Sequence, residues 1–412
     1  MNPSQKRLLV VLSLLLVLQT GFNVYRYTGD MWGSDRFGGD FIGFWQAAQR
    51  LRAGNIAAIY DAEAWKALLT TSGPALLSWF VYPPFFLFGL WPLGRLSYND
   101  AVLAWSVVPL PLYFALIVLL VRRSLVASGA DARARRESST GICALLSAFA
   151  LPFLSANLFS GQTGTILAVL FLGAAYFWRD RPALAGVLIG MMAIKPQMGL
   201  LIPLALLASA QWRTIAAAAA TIAVLALAAT VWLGLAIWTE YLAMVGVFSS
   251  FIGQGYSGIR KLALAPYVSL VGIGVPALAA TVVHGGCLIA VAGAVVAVFR
   301  RSTSGADGKI DLRLALLAAG SLLATPYALS YDMPILMLSV IPFVVRAWHS
   351  GCSLAELVVL VALLVVPYVQ PLAVEWHVPF GLIALSLWFY VLYLRAVEDA
   401  HAPATLPAQT AA

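Results

Sequence analysis

A chain that carries one bilayer-length apolar run after another has very little choice of fold. The first run, Leu8 to about Tyr25, follows Lys6 and Arg7 and is too long, with no small-residue cleavage site, to be a removable signal peptide. Twelve further apolar segments follow, at roughly 81 to 96, 98 to 121, 141 to 158, 163 to 178, 183 to 195, 197 to 210, 214 to 237, 275 to 299, 313 to 330, 333 to 347, 354 to 371 and 378 to 395. With 62% apolar and 10% charged residues, a soluble globular domain is excluded. The expectation is an all-α polytopic membrane protein of about 12 transmembrane helices, one membrane-embedded domain over residues 1–397, and a disordered Ala-, Pro- and Thr-rich tail over 398–412.

Charge sets the direction of threading. Arg122, Arg123, Arg133, Arg135 and Arg136 mark a cytoplasmic segment, because Lys and Arg are retained on the inner side during insertion. Only one crossing then fits between the first outer loop and Arg122. The suspect segment is 81 to 96, broken by Pro83, Pro84, Pro92 and Gly94, which is expected to re-enter or lie at the surface. Twelve crossings place both termini in the cytoplasm of an inner (plasma) membrane protein, with sixteen basic residues inside and eight outside, while the acidic residues divide evenly. The net charge of +8 is thus a topology signal, and the partners expected are membrane lipids with no nucleic acid.

Within that frame, polar interruptions gather at the outer ends of the spans. Gly38-Gly39-Asp40 opens an amphipathic pattern in which Phe41, Phe44, Trp45, Ala48 and Leu51 share a helical face, the pattern of a helix lying on the membrane surface. A second helix is expected after Asp61. Gly161-Gln162, Lys195-Pro196-Gln197, a loop from Trp238 to Val271 with Arg260 and Lys261, and Tyr327 to Tyr331-Asp332 fall on the same side. Each has an ordinary structural reading: Asp40, Asp61 and Asp332 as helix N-caps, Gln162 and Gln197 as span ends, Lys195 reaching out to the headgroups, Arg260 and Lys261 as surface charges. A deep Lys195 costs about 2.5 to 3.5 kcal/mol and demands a phosphate or carboxylate partner. The three cysteines and four histidines have no metal-site spacing.

Asp40-Phe41 with Phe44-Trp45-Gln46-Ala47-Ala48, Gly54 to Ile59-Tyr60-Asp61, Tyr82-Pro83-Pro84-Phe85 with Pro92-Leu93, Gly161-Gln162, Gly186 to Lys195-Pro196-Gln197, and Pro326 to Tyr331-Asp332 together resemble glycosyltransferase family 87. The resemblance runs from about residue 8 to 395. It implies a GT-C fold and transfer from a polyprenyl-phosphate-linked sugar, mannose in the best-known members, on the extracytoplasmic face. The family's base, an Asp in the first outer loop, corresponds to Asp40. Many relatives carry Pro-His where this chain has Pro326-Tyr327, which bears on any His role there and on sugar preference.

The residues fit that chemistry on their own terms. There is no Asp-x-Asp motif for a metal-held nucleotide sugar, and neither metal nor cofactor is expected. Lys195, Arg260 and Lys261 are the outer cations available to a donor phosphate, and Gln162, Gln197, Tyr331 and Asp332 are candidate substrate-binding groups. The acceptor is expected to be a lipid or glycan. The competing readings are a lipid or small-molecule transporter, which calls for a midplane site between repeated halves, and a lipid-linked glycan polymerase or ligase.

Overall fold

The computed structural model describes residues 1–31, 38–65, 79–127, 132–252, 257–300 and 310–401. Arg36, Lys66, residues 301–309 and the tail from 402 onward, all part of the sequence expectations, lie outside the described residues.

Among the described residues the chain is helical, with a single isolated bridge between Ala263 and Leu329. Helices α1 (Pro3–Met31) and α2 (Phe41–Arg52) come first. After the 79–97 segment follow α3 (Tyr98–Val107), α4 (Pro109–Ala127), α5 (Ala132–Ser160), α6 (Gly164–Phe177), α7 (Pro182–Met191), α8 (Ile202–Ala208), α9 (Trp212–Leu233) and α10 (Ile237–Ile252). The last six are α11 (Pro266–Gly272), α12 (Ala277–Arg300), α13 (Ile310–Ala324), α14 (Met337–Ser350), α15 (Leu354–Ala373) and α16 (Phe380–His401).

Eight helical stretches among the described residues are long and apolar enough to cross a membrane, and four shorter apolar ones accompany them: Gly164–Phe177, Pro182–Ile194, Pro196–Ala208 and Leu312–Ala324. The short helices are below the length of a straight crossing, about 20 residues. Every residue from Leu312 to Ala324 is buried, so α13 is surrounded by protein rather than lipid.

Polar contacts sort the bundle into two ends. At one, the N-terminal ammonium donates to the Ala347 and Trp348 carbonyls (2.8 and 3.2 Å), Arg123 pairs with Asp180 (3.1 Å), and Arg395 forks onto Glu356 (2.6 and 2.8 Å). Glu356 also closes a capping box with Ser353 at the start of α15. At the other end Asp40 N–H donates to the Ser160 carbonyl (2.9 Å), Lys195 pairs with Asp332 (2.5 Å) and Arg260 with Glu375 (3.0 Å). Successive helices run between these ends.

Three sequence expectations change. The apolar face of α2 (Phe41, Phe44, Ala47, Ala48 and Leu51) is covered by protein, in a separate aromatic core with Tyr60, Phe80, Tyr82, Phe86 and Val102. Trp45, assigned to that face, stays partly exposed with its indole N–H on the Leu96 carbonyl (3.3 Å). The stretch from Trp238 to Val271, expected as loop, contains most of α10 and begins α11. The last helix runs on to His401, past the expected start of the tail. The 81–96 segment is three short turns, Pro84–Phe86, Leu87–Leu90 and Leu93–Arg95, none able to span a bilayer.

One packing contact sets the height of Lys195, which follows α7. Gly186 and Gly190, four residues apart, bring α7 onto α9: a Cβ at Gly186 would lie 2.4 Å from the Thr214 carbonyl oxygen, and one at Gly190 would lie 2.6 Å from Thr221 Cβ and 2.8 Å from the Ala218 carbonyl oxygen. Small residues in this spacing let membrane helices approach backbone to backbone. Gly190→Ala is therefore expected to cost about 1–3 kcal/mol, read as a lower melting temperature of the detergent-purified protein. Gly285→Ala, whose methyl meets open space, is the control and should leave stability unchanged or slightly higher.

Candidate active site

The turn between α5 and α6 organises the site. Gly161 has φ +59°, and a Cβ there would sit 1.8 Å from the Gly38 carbonyl oxygen. A Cβ at Gly164 would sit 1.8 Å from the Tyr331 carbonyl oxygen, so two distant segments lie directly on this turn. Asn157 ties it further, donating to the Gln162 and Tyr331 carbonyls (3.0 and 3.2 Å) and accepting from Thr165 Oγ1 (2.8 Å).

Asp40 is delivered to the turn by Gly38 and Gly39, both at positive φ (+85° and +51°). It occupies the N-cap position of α2, but its backbone is already helical and its carboxylate caps no N–H of that helix. Oδ2 instead accepts from Gln162 Nε2 at 2.7 Å, and Gln162 Oε1 accepts from the Tyr82 hydroxyl at 2.8 Å. The Tyr82 oxygen also lies 3.2 Å from Thr163 Oγ1. Burial pushes the Asp40 carboxyl up to about 6, against the lowering effect of the Gln162 hydrogen bond and the Lys195 charge. The Tyr82 and Tyr327 phenols are raised by burial and stay neutral donors. Asp61, by contrast, is an ordinary cap, its Oδ1 accepting from the N–H groups of Glu63 (2.9 Å) and Ala64 (3.3 Å).

Lys195 stands where Pro182–Ile194 breaks before Pro196. Its ammonium is 2.5 Å from Asp332 Oδ1 and 4.9 Å from the Tyr331 ring centroid, and Asp332 Oδ2 accepts the Leu329 N–H at 3.1 Å. The carboxylate partner demanded by a deep lysine is thus within the protein.

Asp40, Tyr82, Gln162, Lys195, Gln197, Tyr327 and Tyr331 line one cavity of about 670 Å³, with Phe44 from α2 and Tyr241, Val245 and Phe248 from α10. Asp332 lies behind that wall, 1% exposed. Arg260 and Lys261 are outside the lining: they pair with Glu375 (3.0 and 3.2 Å), while their neighbours Gly258, Ile259 and Leu262 face the cavity. Sequence reasoning passed over Tyr82, Tyr241, Tyr267 and Tyr327 as site residues. Tyr82 and Tyr327 carried a signal, each standing beside a proline in a motif already noted. Tyr241 and Tyr267 carried none, because their stretch reads as loop.

The model of glycosyltransferase family 87 matches residues 80–326. The chain belongs to glycosyltransferase family 87. The assignment makes it a glycosyltransferase, with a donor and an acceptor to accommodate. No curated protein and no solved structure matches it. Gln162, Lys195 and Gln197 fall inside the family match, whereas Asp40 precedes it and reaches the cavity through the contact of Gly38 and Gly39 with the end of α5 and its turn.

Breaking the Lys195–Asp332 pair from one side leaves a buried ammonium without its counter-charge. Asp332→Asn is expected to cost about 3–5 kcal/mol, and the double variant Lys195→Met/Asp332→Leu less than the single one. Thermal unfolding of the three proteins in one detergent measures the difference.

Proposed function

We propose that this glycosyltransferase moves a hexose, with mannose the first candidate, from a polyprenyl-phosphate donor to a hydroxyl of a lipid or glycan acceptor. The observation that carries the reading is one cavity lined by both a carboxylate and an ammonium, Asp40 and Lys195, at the same end of a membrane bundle. Asp40 takes the proton of the acceptor hydroxyl as its oxygen bonds to the anomeric carbon. The bond from that carbon to the phosphate oxygen breaks in the same displacement, inverting the centre, and prenyl phosphate leaves with the bonding electrons. Lys195 and the neutral hydroxyls of Tyr327 and Tyr331 are placed to meet the negative charge that develops on the phosphate. Arg260 and Lys261, one step behind the lining, draw the anionic headgroup toward the cavity mouth.

The proposed topology is twelve crossings, the eight long stretches together with the four short ones, with both termini cytoplasmic and the cavity facing outward. The support is the excess of Lys and Arg at the end that holds the N-terminus and Arg123.

Purified protein supplied with radiolabelled polyprenyl-phosphate mannose and a membrane lipid extract as acceptor tests the reading. Asp40→Asn should lower the transfer rate by about 10²–10⁴ while the protein stays folded. Near-normal transfer by that variant would remove Asp40 from the chemistry. The base works only when ionised and its pKa is raised to about 6, so the wild-type rate should fall as pH drops through that value and level off above it. A profile flat from pH 5 to pH 8, each about one unit or more from that value, would contradict the assignment.

A further inference from the structure

The hydrogen bonds behind Asp40 form a directed chain. A carboxylate only accepts, so the amide of Gln162 must present its NH2 to Asp40 and its oxygen backward. The backward oxygen meets a group able to donate, the Tyr82 hydroxyl at 2.8 Å. Thr163 Oγ1 at 3.2 Å can in turn donate to the Tyr82 oxygen, fixing the direction in which that hydroxyl points. The Tyr82 ring is immobilised by stacking on Phe86 (centroids 4.7 Å apart) and an edge contact with Phe44 (5.1 Å), while its own carbonyl accepts the Tyr60 hydroxyl (2.7 Å). The backbone carrying Gln162 is pinned by Asn157 (3.0 Å).

We infer that Tyr82 and Gln162 are positioning residues that act through Asp40: Tyr82 locks the Gln162 amide in one orientation, and the locked amide holds the carboxylate in its ionised, proton-accepting form. The inference rests on reading Asp40 as the base, but its physical content, control of one carboxylate by a two-residue relay, is separable from catalysis. The other titratable groups around Asp40 are Lys195 at the end of α7, Tyr327, Tyr331 and Asp332 from the segment before α14, and Tyr27 of α1, whose hydroxyl accepts the Gly38 N–H (2.7 Å). None of these is changed by substitutions at Gln162 or Tyr82, so a shift on substitution reports the relay.

The direct measurement needs no substrate. Infrared difference spectra of the detergent-purified protein during a pH titration contain a protonated-carboxyl band for Asp40, assigned as the band lost in Asp40→Asn. Removing a donor from a carboxylate favours its protonated form, so the midpoint must rise. Gln162→Leu should raise it by about one pH unit, a tenfold gain in proton affinity. Tyr82→Phe keeps the ring stack and should raise it by a smaller amount, and Tyr82→Phe/Gln162→Leu should match Gln162→Leu alone because both act along one path. In transfer assays with polyprenyl-phosphate mannose, Tyr82→Phe should be about twofold slower at pH 6 and recover toward the wild-type rate at about pH 8, where Asp40 is ionised in both proteins.

Unmoved midpoints in both single variants, additive effects in the double variant, or a pH-independent rise in KM with Tyr82→Phe would overturn the relay. So would loss of the folded state in Tyr82→Phe, which would make the hydroxyl a structural group. If the midpoints shift as expected while Asp40→Asn retains transfer, the relay stands and the base assignment alone fails.

Discussion

Two glycines that have no room for a side chain hold the cavity end of the bundle together. Gly161 lies against the Gly38 backbone and Gly164 against the Tyr331 backbone, each with its absent Cβ position 1.8 Å from a carbonyl oxygen. Everything proposed for the chemistry depends on this double contact, because it brings the Gly38–Asp40 segment and the segment before α14 to the same four-residue turn. Asn157 and Thr165 then satisfy the polar groups that such close backbone packing leaves exposed to one another. In a membrane protein, where burial of apolar surface contributes little between helices, contacts of this kind and the α7–α9 glycine pair carry much of the specificity.

The electrostatics of the cavity follow from that assembly. Lys195 does not wait as a lone cation: Asp332 holds it from behind, leaving the ammonium beside the cavity with its desolvation offset by a buried carboxylate. Asp40 has the opposite problem: burial raises its proton affinity, and the Gln162 hydrogen bond and the Lys195 charge offset that only in part. In the proposed reaction Asp40 takes up the proton and Lys195 meets the negative charge on the leaving phosphate.

Much of this was legible in the sequence, for identifiable reasons. Apolar run length and composition gave the helical membrane class, and the proline- and glycine-broken stretch 81 to 96, picked out as the suspect crossing, folds as short turns. Asp40, Gln162, Lys195, Gln197 and Tyr331 were singled out because each is a polar interruption at a span end, and all line the cavity. The failures have a common cause. Residues Arg260 and Lys261 look like phosphate ligands until Glu375, far along the chain, is seen to engage them, and α2 looks like a lipid-facing helix until Phe80, Tyr82 and Phe86 are seen to cover it. Helix α10 went unnoticed because the whole stretch from Trp238 to Val271, following directly on the 214 to 237 segment, reads as one outer loop. Periodicity reports what a segment buries, not what buries it.

The way Asp40 is held has a further consequence. Its amide is fastened to the last carbonyl of α5 and its carboxylate to the turn that follows, so this side chain belongs mechanically to the bundle, although it is encoded in a loop. Any displacement of the end of α5 therefore carries the carboxylate with it.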